Sequence, residues 1–260
     1  ITNAVGWPSR FWVHSLPNVK QPFPAQIKIQ YGPPLMSVLW FENQSTKTFA
    51  DMSFSTFFSK QAEKPSGLFG RYIMSTVFDI GNAYLNSLVC EQLSVQAGDY
   101  VLDMGCGTGK LIYNLAVLSN DGYFEGVDYS DPMVLRARRK NKKYVKFGKV
   151  KILKGDFDKL SYENNFFTKV SSVNTIYFWP KPEFTAQKVS NILKPGGIFI
   201  VAFEDIKQLK QRNLNRDIFN FYTAEDVKDL LSKSGFSTDI NLVSKSKGKQ
   251  TFHCVVAKNN

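Results

Sequence analysis

Histidine and cysteine are scarce in this chain of 260 residues, which has two of the first and three of the second. Cys90, Cys106 and Cys254 are far apart, odd in number and without a C-x-x-C pair. That argues against a disulfide framework and a zinc site, so no bound metal is expected. His14 lies in an unusual N-terminal stretch and His253 near the C-terminus, and neither is a strong candidate for a general base. No run of about 18 apolar residues occurs, so no membrane span is expected. The first residues lack a basic segment leading into an apolar core, so no secretory signal is expected, and the sparse, unpaired cysteines fit a reducing cytoplasm. Acids are also short, 22 against 33 bases, for a net charge of +11. Much of the excess comes from Lys140, Lys142, Lys143, Lys146, Lys149, Lys151 and Lys154, and from Lys245, Lys247 and Lys249. A nucleic-acid-binding face would look basic, but a lysine-rich solvated surface accounts for the same excess and is the preferred reading.

What is present falls into two parts. Residues 1–51 hold six of the eleven prolines and three of the four tryptophans, with few charges and no sustained period. Proline at that density blocks helices and central strands alike. This leader is expected either to be extraneous to the domain or to dock as an ordered arm. Residues 52–98 read as an N-terminal helical cap, with amphipathic helices around Leu68–Val77 and Asn82–Leu93.

From residue 99 to 260 short apolar strands alternate with helices. Strands are expected at Val101–Asp103, Tyr123–Asp128, Val150–Leu153, Val170–Ile176 and Ile198–Phe203, the last preceded by a Lys194-Pro-Gly-Gly197 stop. A closing hairpin would pair Asp239–Ser244 with Thr251–Ala257 around Lys245–Gln250. The expected fold is a Rossmann-like, doubly wound α/β sheet of seven strands. It would be mostly parallel, with an antiparallel C-terminal hairpin and helices on both faces.

The chemistry concentrates on Val101-Leu-Asp-Met-Gly-Cys-Gly-Thr-Gly-Lys110. A buried strand ends in Asp103, a glycine turn follows, and Leu111-Ile-Tyr-Asn-Leu-Ala resumes at helical spacing. Such a turn sits at the carboxyl edge of the sheet, where ligands bind, and its glycines let the backbone approach one closely. Asp128, 25 residues on, and Asp156 end the next two strands. An acid at the end of the second strand is where a ribose diol is held in dinucleotide folds. Both phosphate-binding fingerprints fail: Lys110 occupies the third glycine of G-x-G-x-x-G, and Met104 and Leu111 break a Walker A loop. A nucleoside ligand without phosphates remains.

The segment Val101–Gly109 resembles motif I of the class I S-adenosylmethionine-dependent methyltransferases. Gly126-Val-Asp128-Tyr-Ser, Gly155-Asp156-Phe, Asn174-Thr-Ile-Tyr and Leu193-Lys-Pro-Gly-Gly197 resemble the family's later elements in the same order. The resemblance spans roughly residues 60–258. Within the family, Lys64-Pro-Ser-Gly-Leu-Phe-Gly-Arg71 and Asn174-Thr-Ile-Tyr-Phe-Trp-Pro180 are similar to bacterial small-molecule members, a group that includes quinone-ring C-methyltransferases. The resemblance implies S-adenosylmethionine as cofactor and a small-molecule methyl acceptor as partner. By matching position, Asp103 and the loop Gly105, Cys106, Gly107, Thr108 and Gly109 would face the methionine half. Asp128 would take the ribose hydroxyls, with Tyr129 beside the adenine. Asp156 would hold the adenine amino group, with Phe157 near the ring, and Asn174 would sit near the transferred methyl. Tyr72 and Asn82, together with Tyr177 and Trp179, would border an acceptor pocket, although the last two could equally be core aromatics. No catalytic base is assigned.

Two other functions stay open. A nucleic-acid methyltransferase is supported only by charge: the loop after the fourth strand lacks the Pro-Pro of amino-methylating types, and no cysteine stands where a cytosine-C5 enzyme needs one. A non-catalytic cofactor-binding protein of the same fold is the other.

Overall fold

The computed structural model describes residues 60, 63–64, 81–119, 121–212 and 214–260. The Pro/Trp-rich leader, the helix expected around Leu68–Val77 and Tyr72 lie outside the described residues.

The first described helix, α1 (Ala83–Leu93), buries Leu85, Leu88, Val89 and Leu93, the stripe its spacing predicts. A seven-stranded sheet follows. It comprises β1 (Asp99–Met104), β2 (Gly122–Asp128), β3 (Val150–Lys154), β4 (Phe167–Val173), β5 (Leu193–Glu204), β6 (Asn241–Lys247) and β7 (Gln250–Lys258). The helices between them are α2 (Lys110–Leu118), α3 (Asp131–Lys140), α4 (Lys142–Lys146), α5 (Pro182–Ile192), α6 (Ile206–Gln211) and α7 (Ala224–Ser232). Strand order is β3-β2-β1-β4-β5-β7-β6. The first five strands are parallel and β7 is antiparallel to both neighbours. The fold is therefore the Rossmann-like arrangement expected.

Both faces are covered, which is why β1 and β5 read as continuous apolar runs instead of alternating. Val101 and Phe124 pack with α1, α2 and α3 on one face, whereas Leu102, Val170 and Phe199 pack with α5 and α7 on the other. α7 opens on a capping box in which Thr223 and Asp226 bond reciprocally, satisfying two otherwise orphaned donors.

Two boundaries differ from expectation. Phe167 pairs with Leu193 and Lys169 with Ile198, so Lys194-Pro-Gly-Gly197 is not a stop before β5 but an irregularity inside it. Gly197 permits this, since a Cβ there would lie 2.8 Å from Lys194 O and 3.0 Å from Thr168 O. At the hairpin, Lys245–Lys247 extends β6 and Lys247 pairs with Gln250, leaving a two-residue turn with Gly248 at φ 60°. Glycine suits the first central position of such a turn, and lysines are common on an edge strand such as β6.

At the amino edge of the sheet, Lys169 Nζ lies 2.6 Å from Asp99 Oδ2. Asp99 also accepts from Thr168 Oγ1 and the Gln96 N–H, both at 2.7 Å. Burial alone would raise the Asp99 pKa, but these bonds and the Lys169 charge hold it below the usual range. The pair ties β1 to β4 at the end remote from the glycine loop.

Candidate active site

At the carboxyl edge, the Gly105 and Cys106 N–H groups donate to Val127 O at 2.8 and 3.0 Å, folding the loop across the end of β2. Gly107 N–H then donates to Asp128 Oδ2 and Ser130 N–H to Asp128 Oδ1, each at 2.9 Å. Asp128 is thus clamped between the glycine loop and the start of α3, with further lone pairs on both oxygens. Asp103 is buried and accepts from Ser171 Oγ on β4 at 2.8 Å. Among the described residues no cation pairs with either acid. Burial pushes Asp103 up to about 7, with the Asp128 charge adding and the Ser171 bond opposing. Burial raises Asp128 to about 6 against the two backbone bonds.

The loop is packed from behind and open in front. A Cβ on Gly105, whose φ is 70°, would collide with Thr175 Cγ2. One on Gly109, at φ 71°, would meet Asn141 Nδ2 at 2.7 Å and Ala137 Cβ at 2.8 Å. A Cβ on Gly107 would meet nothing within 4 Å. Asn141, fully buried, donates to Gly109 O at 3.0 Å and Ala137 O at 2.9 Å, pinning the loop to α3. Lys140 Nζ reaches Thr108 Oγ1 at 3.2 Å. Cys106 turns its thiol onto Gly126, so its backbone alone belongs to the loop's open side. Burial and then the Asp128 and Asp103 charges hold that thiol well above its ordinary pKa, so it stays protonated.

A second cluster stands at the end of β4. Asn174 adopts φ 55°, which asparagine tolerates better than most residues. Its Nδ2 donates to Asn82 Oδ1 at 2.8 Å, and its Oδ1 accepts from Tyr177 Oη at 3.1 Å. Tyr177 Oη accepts from the Glu204 N–H at 2.7 Å, so its hydroxyl is used in both directions. Burial, with the Glu204 charge, raises this phenol well above its ordinary pKa, so it is a donor and not a base. Glu204 in turn pairs with Arg212, one bond measuring 3.1 Å. Tyr177, Phe178 and Phe219 pack against one another with centroids 4.8 to 6.1 Å apart; Tyr177 and Phe219 are buried in the core and Phe178 is partly exposed.

The remaining predicted residues are more dispersed. Tyr129 Oη donates to Glu63 O, and the Lys64 ammonium lies 5.3 Å from its ring. Asp156 caps the short 3₁₀ turn Phe157–Lys159 and lies 3.1 Å from Lys159 Nζ. Phe157 is buried, its ring 5.8 Å from Tyr162 and 5.0 Å from the Lys188 ammonium. Trp179 is not beside Asn174; it is buried and nearly parallel to Phe199 at 6.4 Å. Of the two pocket aromatics, only Tyr177 reaches the cluster. Ser171, Thr175, Asn141 and Glu204 carry no signal in the sequence, because nothing local connects them to the motifs they support. His253 lies between Asp205 Oδ2 (3.0 Å) and Ser244 Oγ (2.8 Å), tying β7 to α6 and β6.

Residues 96–258 match the family described as a methyltransferase domain. The chain belongs to this family. It is 31% identical over 133 residues to sterol 24-C-methyltransferase of Saccharomyces cerevisiae, covering 51% of this chain and 34% of that protein. It is 26% identical over 153 residues to an uncharacterized methyltransferase of Bacillus subtilis, covering 57% of this chain and 82% of that one. The match therefore spans about a third of the yeast protein's length. Among solved structures, a methyltransferase complexed with the Haloferax volcanii Trm112 activator superposes with a TM-score of 0.61 at 20% identity, covering 80% of this chain and 99% of that one. Haemonchus contortus phosphoethanolamine N-methyltransferase 2, bound to S-adenosylmethionine, superposes at 0.58 with 16% identity, covering 68% and 52%. These likenesses extend the class I fold to this member of the methyltransferase family.

Proposed function

We propose that this methyltransferase-family protein binds S-adenosylmethionine at the Gly105–Gly109 loop and transfers its methyl group to a small apolar acceptor beside Asn174. The observation that carries the reading is the pair of buried carboxylates, Asp103 and Asp128, at a loop packed behind and open at Gly107. The donor set fits a nucleoside sulfonium: carboxylates suit hydroxyls and cationic groups, and no phosphate fingerprint is present. Asp128 would hold the ribose hydroxyls and Asp103 the methionine half. Tyr129, Asp156 and Phe157 would flank the nucleobase.

The bound cofactor supplies an activated methyl on a positively charged sulfur. The chain's own contribution is placement. Asn141 and Thr175 fix the loop, Asp128 locks it to β2 through the Gly107 N–H, and Tyr177 orients the Asn174 amide. Positioning of this kind is worth up to about 7–11 kcal/mol in intramolecular comparisons. The aromatic cluster of Tyr177, Phe178 and Phe219, of which Phe178 is partly exposed, supports an apolar acceptor, and the sterol named for the yeast relative is of that kind. A quinone or phenol ring would suit the same cluster.

Titration calorimetry with S-adenosylmethionine, followed by labelled methyl transfer to sterol, quinone, phenol and lipid extracts, tests this. Absence of binding at high micromolar cofactor would overturn the proposal, and binding without turnover on any acceptor would favour a non-catalytic role.

A further inference from the structure

The charge of this protein is not spread over its surface. Between residues 132 and 155 there are ten basic residues and no acid, against a net charge of +11 for the whole chain. The segment forms α3, α4 and the edge strand β3. Arg138, Arg139, Lys142, Lys143, Lys146, Lys151 and Lys154 are all exposed. Asp131, at the start of α3 itself, pairs with Lys154 at 2.6 Å, and Glu125 of β2 pairs with Lys151 at 3.2 Å.

Apolar side chains stand among these bases. Phe147 is 71% exposed at the end of α4, and Leu135 and Val145 are 45% and 39% exposed. Leu135, Arg138 and Arg139 lie three and four residues apart on α3, and Lys142, Val145 and Lys146 repeat that spacing on α4, which begins after a break at Asn141. Lys143 and Lys146 bracket Val145 and precede Phe147, which is followed by Gly148 at φ 71°. Short aliphatic and aromatic groups projecting from a cationic helix are what an interfacial segment presents to a bilayer. The aliphatic groups have no role against a nucleic-acid backbone, whereas a lipid surface has both phosphates and an acyl boundary.

We propose that the α3–α4–β3 edge docks the protein on an anionic lipid surface, with Lys142, Lys143 and Lys146 meeting headgroup phosphates and Phe147 entering the acyl boundary. Phe147 precedes β3 and so lies at the amino edge of the parallel strands, opposite the glycine loop. The contact is therefore a tether that leaves the candidate active site uncovered, and it does not depend on the methyltransferase reading.

The test is partitioning of the full chain onto phosphatidylcholine vesicles with and without 30% phosphatidylserine. The expected result is binding to the anionic vesicles alone, lost when salt rises from 0.1 to 0.5 M as screening shortens. Replacing Lys142, Lys143 and Lys146 together by glutamate should weaken it about a hundredfold, from the usual contribution per basic residue at such a surface. Phe147→Ser should weaken it about tenfold, since a single aromatic ring leaves the acyl boundary. All these positions are exposed and outside the candidate site, so thermal stability and cofactor binding should be unchanged in both variants. Equal partitioning onto neutral vesicles, no partitioning onto either kind, or insensitivity to both variants would overturn the proposal. So would tighter binding of transfer RNA than of anionic vesicles with no effect of Phe147→Ser.

Discussion

Replacing Asp103 by asparagine should make the ligand-free protein more stable at neutral and alkaline pH while weakening cofactor binding. Asp103 is buried, and among the described residues its side chain accepts from Ser171 Oγ. Its pKa stands at about 7 in the folded chain against an ordinary 3.8. The unfolded chain therefore loses this proton first as pH rises. The stability associated with the protonated acid is fully present below about pH 4, declines as pH rises toward 7 and is gone above it. The rise corresponds to about 4 kcal/mol. Asparagine avoids the buried charge but still buries a polar amide, for which the Ser171 hydroxyl supplies one partner. A net gain of about 2–3 kcal/mol at pH 8 is the expected remainder, or roughly 5–10 °C in Tm for a domain of this size. Near pH 4 the two proteins should melt together. Asp128, at about 6, adds a smaller dependence of the same sign to both. The measurement is a set of thermal melts from pH 4 to 8, with and without S-adenosylmethionine. The ligand's upward shift should be largest for the parent chain at high pH and much reduced in the variant. Parent stability that is flat or rising between pH 4 and 7, or a variant less stable than its parent at pH 8, would refute the account of Asp103 as an uncompensated buried carboxylate.

Gly105→Ala places a methyl group against Thr175 Cγ2 at a backbone φ of 70° and should cost about 2–4 kcal/mol in denaturant unfolding; adding Thr175→Ser should recover only the steric part. Tyr177→Phe strands the Glu204 N–H and frees the Asn174 amide, so a loss of about 1–3 kcal/mol should accompany a fall in kcat larger than any rise in cofactor Kd; an unchanged kcat would remove Tyr177 from the positioning role. Lys169→Met leaves Asp99 buried without its cation and should destabilise by about 3–5 kcal/mol, yet leave cofactor affinity within twofold in calorimetry on the folded protein, because the pair lies at the opposite sheet edge.

The order of strands and helices is legible because each parallel strand carries an apolar segment closed by an acid or a polar turn, even where Glu125 interrupts β2 and Ser171 and Ser172 interrupt β4. Boundaries are less so. Lys194-Pro-Gly-Gly197 carries the residues of a stop, but Gly197 lets the backbone close against Thr168 O, and the chain re-enters the sheet. Lys245–Lys247 looked like a loop because it is charged, and a strand at the sheet edge can carry charge on its open side. The short helices α4 and α6 are not legible, since five and six residues are too few to show a helical period.

The candidate site divides along a sharper line. Residues that would touch a ligand sit inside local motifs, where an acid ends a strand or glycines alternate, and a chain read in order exposes them. Residues that hold those motifs in shape come from elsewhere. Asn141 meets Gly109 from 32 positions away, and Ser171 meets Asp103 from 68. No local pattern links such a pair; it exists only once β4 lies beside β1 and α3 lies beside the loop. The same reasoning explains Trp179 and Tyr177, two residues apart and alike in sequence. The 3₁₀ turn Ile176–Phe178 directs Tyr177 to Asn174 and sends Trp179 onto Phe199. A tight turn, with its own period of three, decides which aromatic faces the site.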